Sequence, residues 1–315
     1  TYLPKLLKAG HRVAVCEQLE DPRFAKGIVK RDVIEVVTPG VAFSERVLQE
    51  RQNNYLAAVA LPTAIAAEND IVGLAFVDVS TGEFAAAEFP LRNLGEQIAS
   101  LQPAELLVQK RDYETLLNLL NRSFEGMYTK RDDWVFHQDY GYELLINHFK
   151  TQSLKGFGLE EMPIAIVAAG SVMNYLQETQ KANLLHIRKL VPFDVGDHIV
   201  LDPSTKRNLE ITSSMAGRND GTLFSVIDRT QTPMGGRLLK KWINRPLKKV
   251  QPIEERLSAV RELFDQESVC HKVREELRQI GDLERLIARI ATGRGNPREL
   301  NRLREFLGRV PHLSA

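Results

Sequence analysis

Four carboxylates in the first half of the chain have residue types that could bind a metal ion. Asp78 ends an apolar run and precedes the turn Ser80-Thr81-Gly82. In a mixed α/β domain, an Asp at this position is where two-metal nucleases bind one of their ions. Glu83, Glu105 and Asp112 are available as further ligands, although spacing alone does not show that they converge. The alternative, which we favour, is a structural Asp that hydrogen-bonds its own turn.

Other catalytic and cofactor-binding patterns are missing from the sequence. The dipeptide Gly-Lys does not occur, so the chain has no phosphate-binding P-loop. It has no zinc-binding H-E-x-x-H and no G-x-S-x-G nucleophile elbow. The nearest histidine pairs, His137 with His148 and His186 with His198, lack helical i, i+4 spacing. We therefore predict no catalytic, cofactor-binding or metal-binding residue in this chain.

A cluster of basic side chains in the last third of the chain could contact the phosphates of a nucleic acid. The cluster surrounds Trp242 and consists of Lys240, Lys241, Arg245, Lys248 and Lys249. The alternative is a set of solvated helix faces whose cations pair with nearby acids. Those acids are Glu254, Glu255, Asp282, Glu284 and Glu299. Pairing is the favoured interpretation, so we predict only weak phosphate contacts at the five basic residues.

These side chains must be positioned by an α/β region in the middle of the chain. Tyr55–Ala60 and Val72–Ser80 are β-rich, and the turn Thr81-Gly82 predicts a hairpin that returns along Glu83–Phe89. Helices and strands then alternate until the long apolar helix predicted at Pro163–Lys181. Strands followed by alternating helices and strands are typical of an α/β domain with a mixed sheet.

The segment before this region is short. Residues 1–40 predict a helix and two strands, Arg12–Glu17 and Asp32–Val37. Residues 41–54 are polar and predict a linker with some helix around Ser44–Arg51. About forty residues rarely hold a core alone, so we expect residues 1–40 to be ordered only by outside contacts. Those contacts could come from the α/β region, from a second copy of the chain or from upstream residues.

The pattern becomes helical after Pro192. Asp197–Leu201 predicts one short strand, and Asp202-Pro203 then predicts the start of a helix. Six further segments carry apolar residues at helical spacing. They are Thr222–Arg229, Pro233–Asn244, Pro252–Asp265, Glu267–Gln279, Asp282–Thr292 and Pro297–Val310. The sequence thus predicts a multidomain chain, α/β followed by all-α.

Charge divides the chain in a similar way. The net charge is +2 over residues 1–40, −8 over residues 41–201 and +7 over residues 202–315. Separate modules with different partners would produce this asymmetry. Drift in solvated surface charge is the alternative, and charge alone does not decide between the two.

Composition excludes several classes of protein. Hydrophobic residues make up 43% of the chain, which is enough to build cores and excludes a disordered chain. The longest apolar run, Ile164–Val172, is far short of the roughly 20 residues that cross a bilayer. Cys16 and Cys270 are too few for a disulfide framework. No export leader opens the chain, so we expect a cytoplasmic protein without a membrane span.

Eight short strings, in order along the chain, carry a resemblance to a known family. They are Val15–Gln18, Val37–Gly40, Leu48–Asn54, Phe76–Gly82, Pro103–Leu107, Arg207–Glu210, Thr232–Arg237 and Gly281–Arg285. Each string alone is weak, but their order and spacing over the whole chain are specific. The chain resembles the MutS family of DNA mismatch-repair proteins.

The resemblance implies three domains. Residues 1–40 would be the end of the mismatch-recognition domain. Residues 41–190 would be the connector domain, a ribonuclease-H-like mixed sheet without catalytic activity. Residues 191–315 would be the first part of the helical core, or lever, domain.

The resemblance also implies a function and a set of partners. The parent protein would recognise mispaired or looped DNA and signal through an ATP-dependent conformational change. ATP and magnesium would bind the parent outside this chain, which itself would need no cofactor. The implied partners are mismatched DNA, the downstream protein MutL and a second copy of the parent, engaged mainly through domains outside this chain.

Some family features are expected outside these residues. The Phe-x-Glu motif that wedges into a mismatch would lie upstream, and Phe43-Ser44-Glu45 matches it only by chance because it follows Thr-Pro-Gly. The DNA-gripping clamp and the ATPase domain would lie beyond Ala315. We therefore expect a non-catalytic signalling segment. A metal-dependent nuclease that uses Asp78 is the alternative, and the neighbours of Asp78 discriminate the two.

Overall fold

The computed structural model describes residues 2–18, 20, 29–43, 47–63, 67–121, 123–180, 184–199, 201–215 and 220–313. Four positions named above, Ser44, Glu45, Lys181 and Ala315, lie outside them. We divide the described residues into an N-terminal region (2–43), a sheet region (47–199) and a helical region (201–313). No helix among these described residues is long and apolar enough to cross a membrane.

The sheet region is built on six strands. In chain order they are β3 (Tyr55–Ala60), β4 (Ile71–Asp78), β5 (Glu83–Pro90), β6 (Glu105–Gln109), β7 (Met127–Arg131) and β8 (Val191–Pro192). Their order across the sheet is β7-β6-β3-β4-β5-β8. β3, β4 and β5 form an antiparallel meander, whereas β6, β7 and β8 join by parallel pairing. The sheet is therefore mixed, as the sequence predicts.

Helices cover both faces of this sheet. They are α2 (Leu94–Leu101), α3 (Tyr113–Leu119), α4 (Gln138–Phe149) and α5 (Pro163–Gln180). Alternate residues of β3 enter separate cores, one packed against α2 and α3 and the other against α4 and α5. Helices α4 and α5 approach closely, because a Cβ at Gly170 would lie 2.3 Å from the Cα of Gly141.

The N-terminal region consists of α1 (Leu3–Lys8) and a two-stranded antiparallel sheet of β1 (Val13–Gln18) and β2 (Arg31–Val37). Its small core contains Leu7 and Val37 together with Ala42 and Leu48, so it extends into the chain that follows β2. β2 also contacts α5 of the sheet region. Residues 1–40 therefore contact the sheet region, and their dependence on outside contacts for folding stays a prediction.

The helical region contains α6 (Pro203–Asn208), α7 (Leu223–Ile227), α8 (Pro233–Asn244), α9 (Val250–Asp265), α10 (Glu267–Arg278), α11 (Leu283–Ala291) and α12 (Pro297–Leu313). Four of these helices begin at a side chain that accepts a hydrogen bond from an amide of the first turn. The capping residues are Asp202, Thr222, Thr232 and Asp282. Helices α9, α10 and α12 have no buried residue.

Two local predictions were wrong. Over the described residues 197–199 and 201, the expected strand at Asp197–Leu201 is reduced to a single bridge between His198 and Leu247, and the short strand β8 lies earlier in the chain. The helix expected around Ser44–Arg51 is absent over residues 47–51, which the structure describes as turns and bends.

Candidate functional site

Four of the eight strings that carry the resemblance meet at one contact between the sheet and helical regions. We call this contact the junction. It comprises the linker (residues 47–53), the turn after β4 (residues 78–83), the start of α8 and the start of α11. Its centre is formed by two buried arginines of the helical region.

Arg285, in the first turn of α11, is 4% exposed. Its Nε donates to Ser80 Oγ at 3.1 Å, and its Nη1 and Nη2 donate to the main-chain carbonyls of Gln49 and Gln52 at 2.9 and 2.7 Å. Burial lowers the pKa of Arg285, and the nearby Asp78 carboxylate opposes that shift. The guanidinium thus uses all three nitrogens to hold the linker against the turn after β4.

Arg237, in α8, is 3% exposed and contacts the linker beside Arg285. Its Nη1 donates to the Glu50 carbonyl at 2.9 Å, and both terminal nitrogens donate to the Asp282 carboxylate at 2.7 and 2.8 Å. Nη2 also donates to Glu284 Oε2 at 2.6 Å. Burial acts to lower the pKa of Arg237, but the hydrogen bonds to Asp282 and Glu284 outweigh it and raise the pKa. Arg237 therefore joins α8, α11 and the linker.

Asp78 has a structural role at the same junction. Its Oδ1 accepts from the Ser80 amide at 2.9 Å and from Ser80 Oγ at 2.6 Å. Its Oδ2 accepts from Asn53 Nδ2 at 2.9 Å and from the Asn54 amide at 3.2 Å. The amides of the next two turn residues donate instead to the main-chain carbonyl of Asp78. The prediction that the Asp78 side chain hydrogen-bonds its own turn is therefore confirmed at Ser80. It is wrong for the amides of the next two residues.

Among the other carboxylates of the nuclease hypothesis, Glu83 shares one partner with Asp78, since its Oε2 accepts from Asn53 Nδ2 at 3.4 Å. Glu105 and Asp112 are held by other partners. Glu83 accepts from the Tyr55 hydroxyl at 3.0 Å, and burial followed by the Glu83 charge raises the pKa of Tyr55. Glu105 lies beneath the N-terminal region, and Asp112 pairs with the arginine that precedes it. No group of three or more His, Cys, Asp or Glu side chains within the described part of the chain could hold a metal ion. The nuclease alternative therefore finds no support.

Glu105 forms a second contact, between the N-terminal and sheet regions. Its carboxylate is fully buried; Oε1 accepts from Thr129 Oγ1 at 2.6 Å and from the Tyr175 hydroxyl at 2.7 Å. Oε2 accepts from Thr38 Oγ1 and from the Gly40 amide, the latter at 3.1 Å. A Cβ at residue 40 would lie 2.7 Å from the Cβ of Glu105, so this close approach requires glycine. The string Val37–Gly40 is thereby fastened to β6.

All five basic residues around Trp242 contact the sheet region, and three of them are partly buried against it. Lys240 Nζ donates to Gln52 Oε1 at 2.9 Å, and Lys241 Nζ donates to Glu83 Oε1 at 2.5 Å. The Arg245 guanidinium lies 3.8 Å from the centre of the Phe193 ring, a cation–π contact, and burial lowers the pKa of Arg245 to about 10.

The other two basic residues are exposed. Lys249 pairs with Asp197 at 2.6 Å, and the main-chain amide of Lys248 donates to the Asp197 carbonyl at 3.0 Å. Phosphate contact by any of the five residues stays a prediction.

Sequence reasoning missed the arginines that join the regions. Arg294 is a third example; it pairs with Glu35 of β2, donates to Gln180 Oε1 at 2.9 Å and lies over the Phe43 ring. One signal pointed to the other two, because Arg237 and Arg285 each end a string that carries the resemblance. Asp282 and Glu284 do pair with a cation as expected, but that cation is Arg237, from outside the basic cluster around Trp242.

Comparison with known proteins decides the family. Three family models match: MutS domain I over residues 1–46, MutS domain II over residues 54–188 and MutS domain III over residues 204–315. The chain belongs to the MutS family. The linker at the junction lies between the segments matched to MutS domains I and II, and both junction arginines lie in the segment matched to MutS domain III.

Curated relatives agree over the whole chain. A DNA mismatch repair protein MutS of Salinibacter ruber is 45% identical over 315 residues, which is 99% of this chain and 34% of that protein. The MutS proteins of Chlorobaculum tepidum and Cytophaga hutchinsonii are 44% and 43% identical, over 100% and 98% of this chain and 36% and 35% of theirs. The chain spans about a third of the length of the curated MutS relatives that it matches.

Proposed function

We propose that this chain is the connector and lever region of a DNA mismatch-repair sensor, and that it transmits conformational change without catalysing a reaction. The family match and the names of the relatives support the repair role. Recognition of mispaired DNA and ATP turnover would be performed by other parts of a longer protein. This chain would couple the two.

One observation carries the proposal. The helical region, matched to domain III, binds the linker between the segments matched to domains I and II. It does so through Arg237 and Arg285, which donate to the carbonyls of Glu50, Gln49 and Gln52. Any displacement of the linker must therefore move these arginines or break their hydrogen bonds.

The energetics of the junction favour discrete states over gradual sliding. Removing the acceptors of a buried guanidinium leaves an unpaired charge, which typically costs about 3–5 kcal/mol. The arrangement is therefore favoured only when the linker carbonyls and the Ser80 hydroxyl lie in place together. Allosteric coupling requires an element with two states whose equilibrium is shifted by both of the distant sites.

The sheet region supports the proposal as a rigid connector. We propose a ribonuclease-H-like fold for it, because an antiparallel meander of three strands is followed by two strands that pair in parallel on its other side. Asp78 and Glu105 serve structural contacts in this sheet. The proposed role is thus mechanical, with the connector holding its neighbours in register.

The remaining parts of the proposal come from the family. We propose that mismatched DNA, MutL and a second copy of the parent engage it mainly through other domains, and that ATP and magnesium bind there too. Lys248 and Lys249 are the exposed members of the basic cluster and would make any weak phosphate contact of this chain. A cytoplasmic location is proposed on the same basis.

The test is to break the junction in the full-length protein. Arg285→Met removes the three donated hydrogen bonds and keeps a long side chain. The measured quantity is the affinity for mismatched DNA without ATP divided by the affinity with ATP. We expect this ratio to fall by about fivefold or more, because one allosteric coupling typically changes an affinity by at least that factor. Fluorescence anisotropy with labelled duplexes measures both affinities.

Arg298→Met is the matched control, because Arg298 is an exposed arginine of the same region. It should leave the ratio unchanged, and circular dichroism should show that both variants are folded. An Arg285→Met protein that is folded and retains the wild-type ratio would refute the proposed role of the junction.

A further inference from the structure

Lys206 is a buried cation that the junction does not use. It lies in α6, is 8% exposed, and its Nζ has no hydrogen-bond partner among the described residues. The carboxylate of Asp202, one turn earlier, caps the helix by accepting from the Thr205 amide at 2.9 Å. A buried ammonium without a partner is costly, so this side chain needs an explanation.

The Lys206 side chain lines a cavity between the sheet and helical regions. The cavity has a volume of about 20 Å³ and is bounded by α2, α6 and the end of α8. That volume suits one species of about the size of a water molecule. Groups that could donate hydrogen bonds also line it, and they are Gln97, Ser100, His198, Asn244 and Arg245.

Among the described residues that line the cavity, two cations, Lys206 and Arg245, face one carboxylate. Burial and then the Arg245 charge lower the pKa of Lys206 to about 8, and the same two causes lower the pKa of His198. Glu96 is the one carboxylate that lines this cavity within the described residues. The charged or titratable groups that face Lys206 from all sides are Glu96, Glu125, His198, Asp202, Arg207 and Arg245.

We propose that this cavity binds one small monatomic anion, of the size of chloride, between α2 and α6. The anion pairs with Lys206 and accepts hydrogen bonds from donors that line the cavity. It thereby strengthens the attachment of the helical region to the sheet region, at a point separate from the junction arginines. A water molecule fits the same volume but leaves the positive charge unbalanced.

Thermal unfolding of the 315-residue chain tests the site. Chloride is replaced stepwise by gluconate at constant ionic strength, since gluconate is too large for the cavity. We expect the melting temperature Tm to be higher in chloride by roughly 2–4 °C, as for a ligand that binds only the folded state. Lys206→Met should abolish the difference. Lys272→Met removes an exposed lysine of equal charge that lies outside the basic cluster, and it should retain the difference.

The pH dependence sharpens the test. Lys206 is mostly protonated at about pH 7 and mostly neutral at about pH 9.5, so the chloride effect should be present at the lower pH and lost at the higher one. Because the pKa is depressed in the fold, the unfolded state binds more protons between these values. The stability of the wild type in gluconate should therefore rise with pH over this range, more than that of Lys206→Met.

Glu96→Gln distinguishes a bound anion from Glu96 itself as the group that balances the charge of Lys206. Removing this carboxylate should enlarge the chloride effect if an anion balances Lys206. If Glu96 itself were the partner, the variant would lower Tm in both salts without any chloride effect, and the proposal would fall. Equal chloride effects in wild type and Lys206→Met, or no effect in the wild type, would also overturn it.

Discussion

The sheet region and the helical region differ in where their apolar side chains lie. All six residues of β3 are buried, and most of α5 is buried as well. In contrast, α9, α10 and α12 have no buried residue, and Phe264 is 83% exposed. The sheet region therefore carries its own core, whereas the helical region depends on polar contacts with its neighbours.

This difference assigns separate roles to the two kinds of interaction. Close packing tolerates little change in volume, so the sheet region should resist deformation. The helical region is attached through Arg237, Arg285 and Arg294, whose hydrogen bonds can break and re-form as units. The molecule thus combines a rigid body with a body whose attachment can change.

Gly170→Ala should have a large effect and tests the rigidity of the sheet region. The added Cβ would lie 2.3 Å from the Cα of Gly141, so two helices would have to separate. We expect the free energy of unfolding to fall by about 3 kcal/mol. Urea unfolding followed by Trp134 fluorescence, in a Trp242→Phe background, measures it. An unchanged urea midpoint would show that helices α4 and α5 can move apart at little cost in free energy.

Glu105→Gln should have a smaller effect in the same region. The carboxylate accepts four hydrogen bonds. In the glutamine variant an NH2 group replaces one of the two oxygens, so two of the four donors would face another donor. We expect a loss of about 1–3 kcal/mol. The exposed Glu114→Gln is the control, and equal losses in urea unfolding would argue against a special role for the Glu105 contact.

Gly308→Ala makes the same substitution as the first prediction in a helix of the other region. No heavy atom lies within 4 Å of the Cβ that would be added in α12. The change should therefore stabilise the helical region by about 0.5–1 kcal/mol, the difference in helix propensity. Trp242 fluorescence in a Trp134→Phe background reports it, and destabilisation would mean that α12 is more closely packed than its exposure indicates.

Phe264→Ser should have the smallest effect. A side chain that is 83% exposed contributes little burial, so the free energy of unfolding should change by less than about 0.5 kcal/mol. Leu145→Ala, in the buried core of the sheet region, should cost about 2–5 kcal/mol in the same urea experiment. Similar losses in the free energy of unfolding for the two variants would contradict the difference in burial between the sheet and helical regions.

Local rules predicted the elements whose signals are local. Helix α8 begins at Pro233 and ends at Asn244, as predicted, because Thr232 caps it and proline suits its first turn. Strand β8 was missed because Val191 and Pro192 are extended only through pairing with Ala85 and Ala86, more than a hundred residues earlier. Sequence spacing contains no such information.

The same limit applies to the candidate site. The structural role of Asp78 followed from its own turn, two residues away. Arg237 and Arg285 instead bind main-chain carbonyls that lie 187 and 236 positions earlier. No residue type marks a carbonyl acceptor, so only the resemblance strings pointed toward these arginines.

The main-chain acceptors at the junction have a consequence for building chimaeras. Arg237 and Arg285 bind carbonyl oxygens of residues 49, 50 and 52, which every amino acid supplies. The side chains at those three positions can therefore vary between relatives without removing an acceptor for either arginine. A linker transplanted from another MutS protein should fit this contact as long as its backbone path and the two arginines are kept. The linker and the helical region could then be replaced independently of each other by those of a relative.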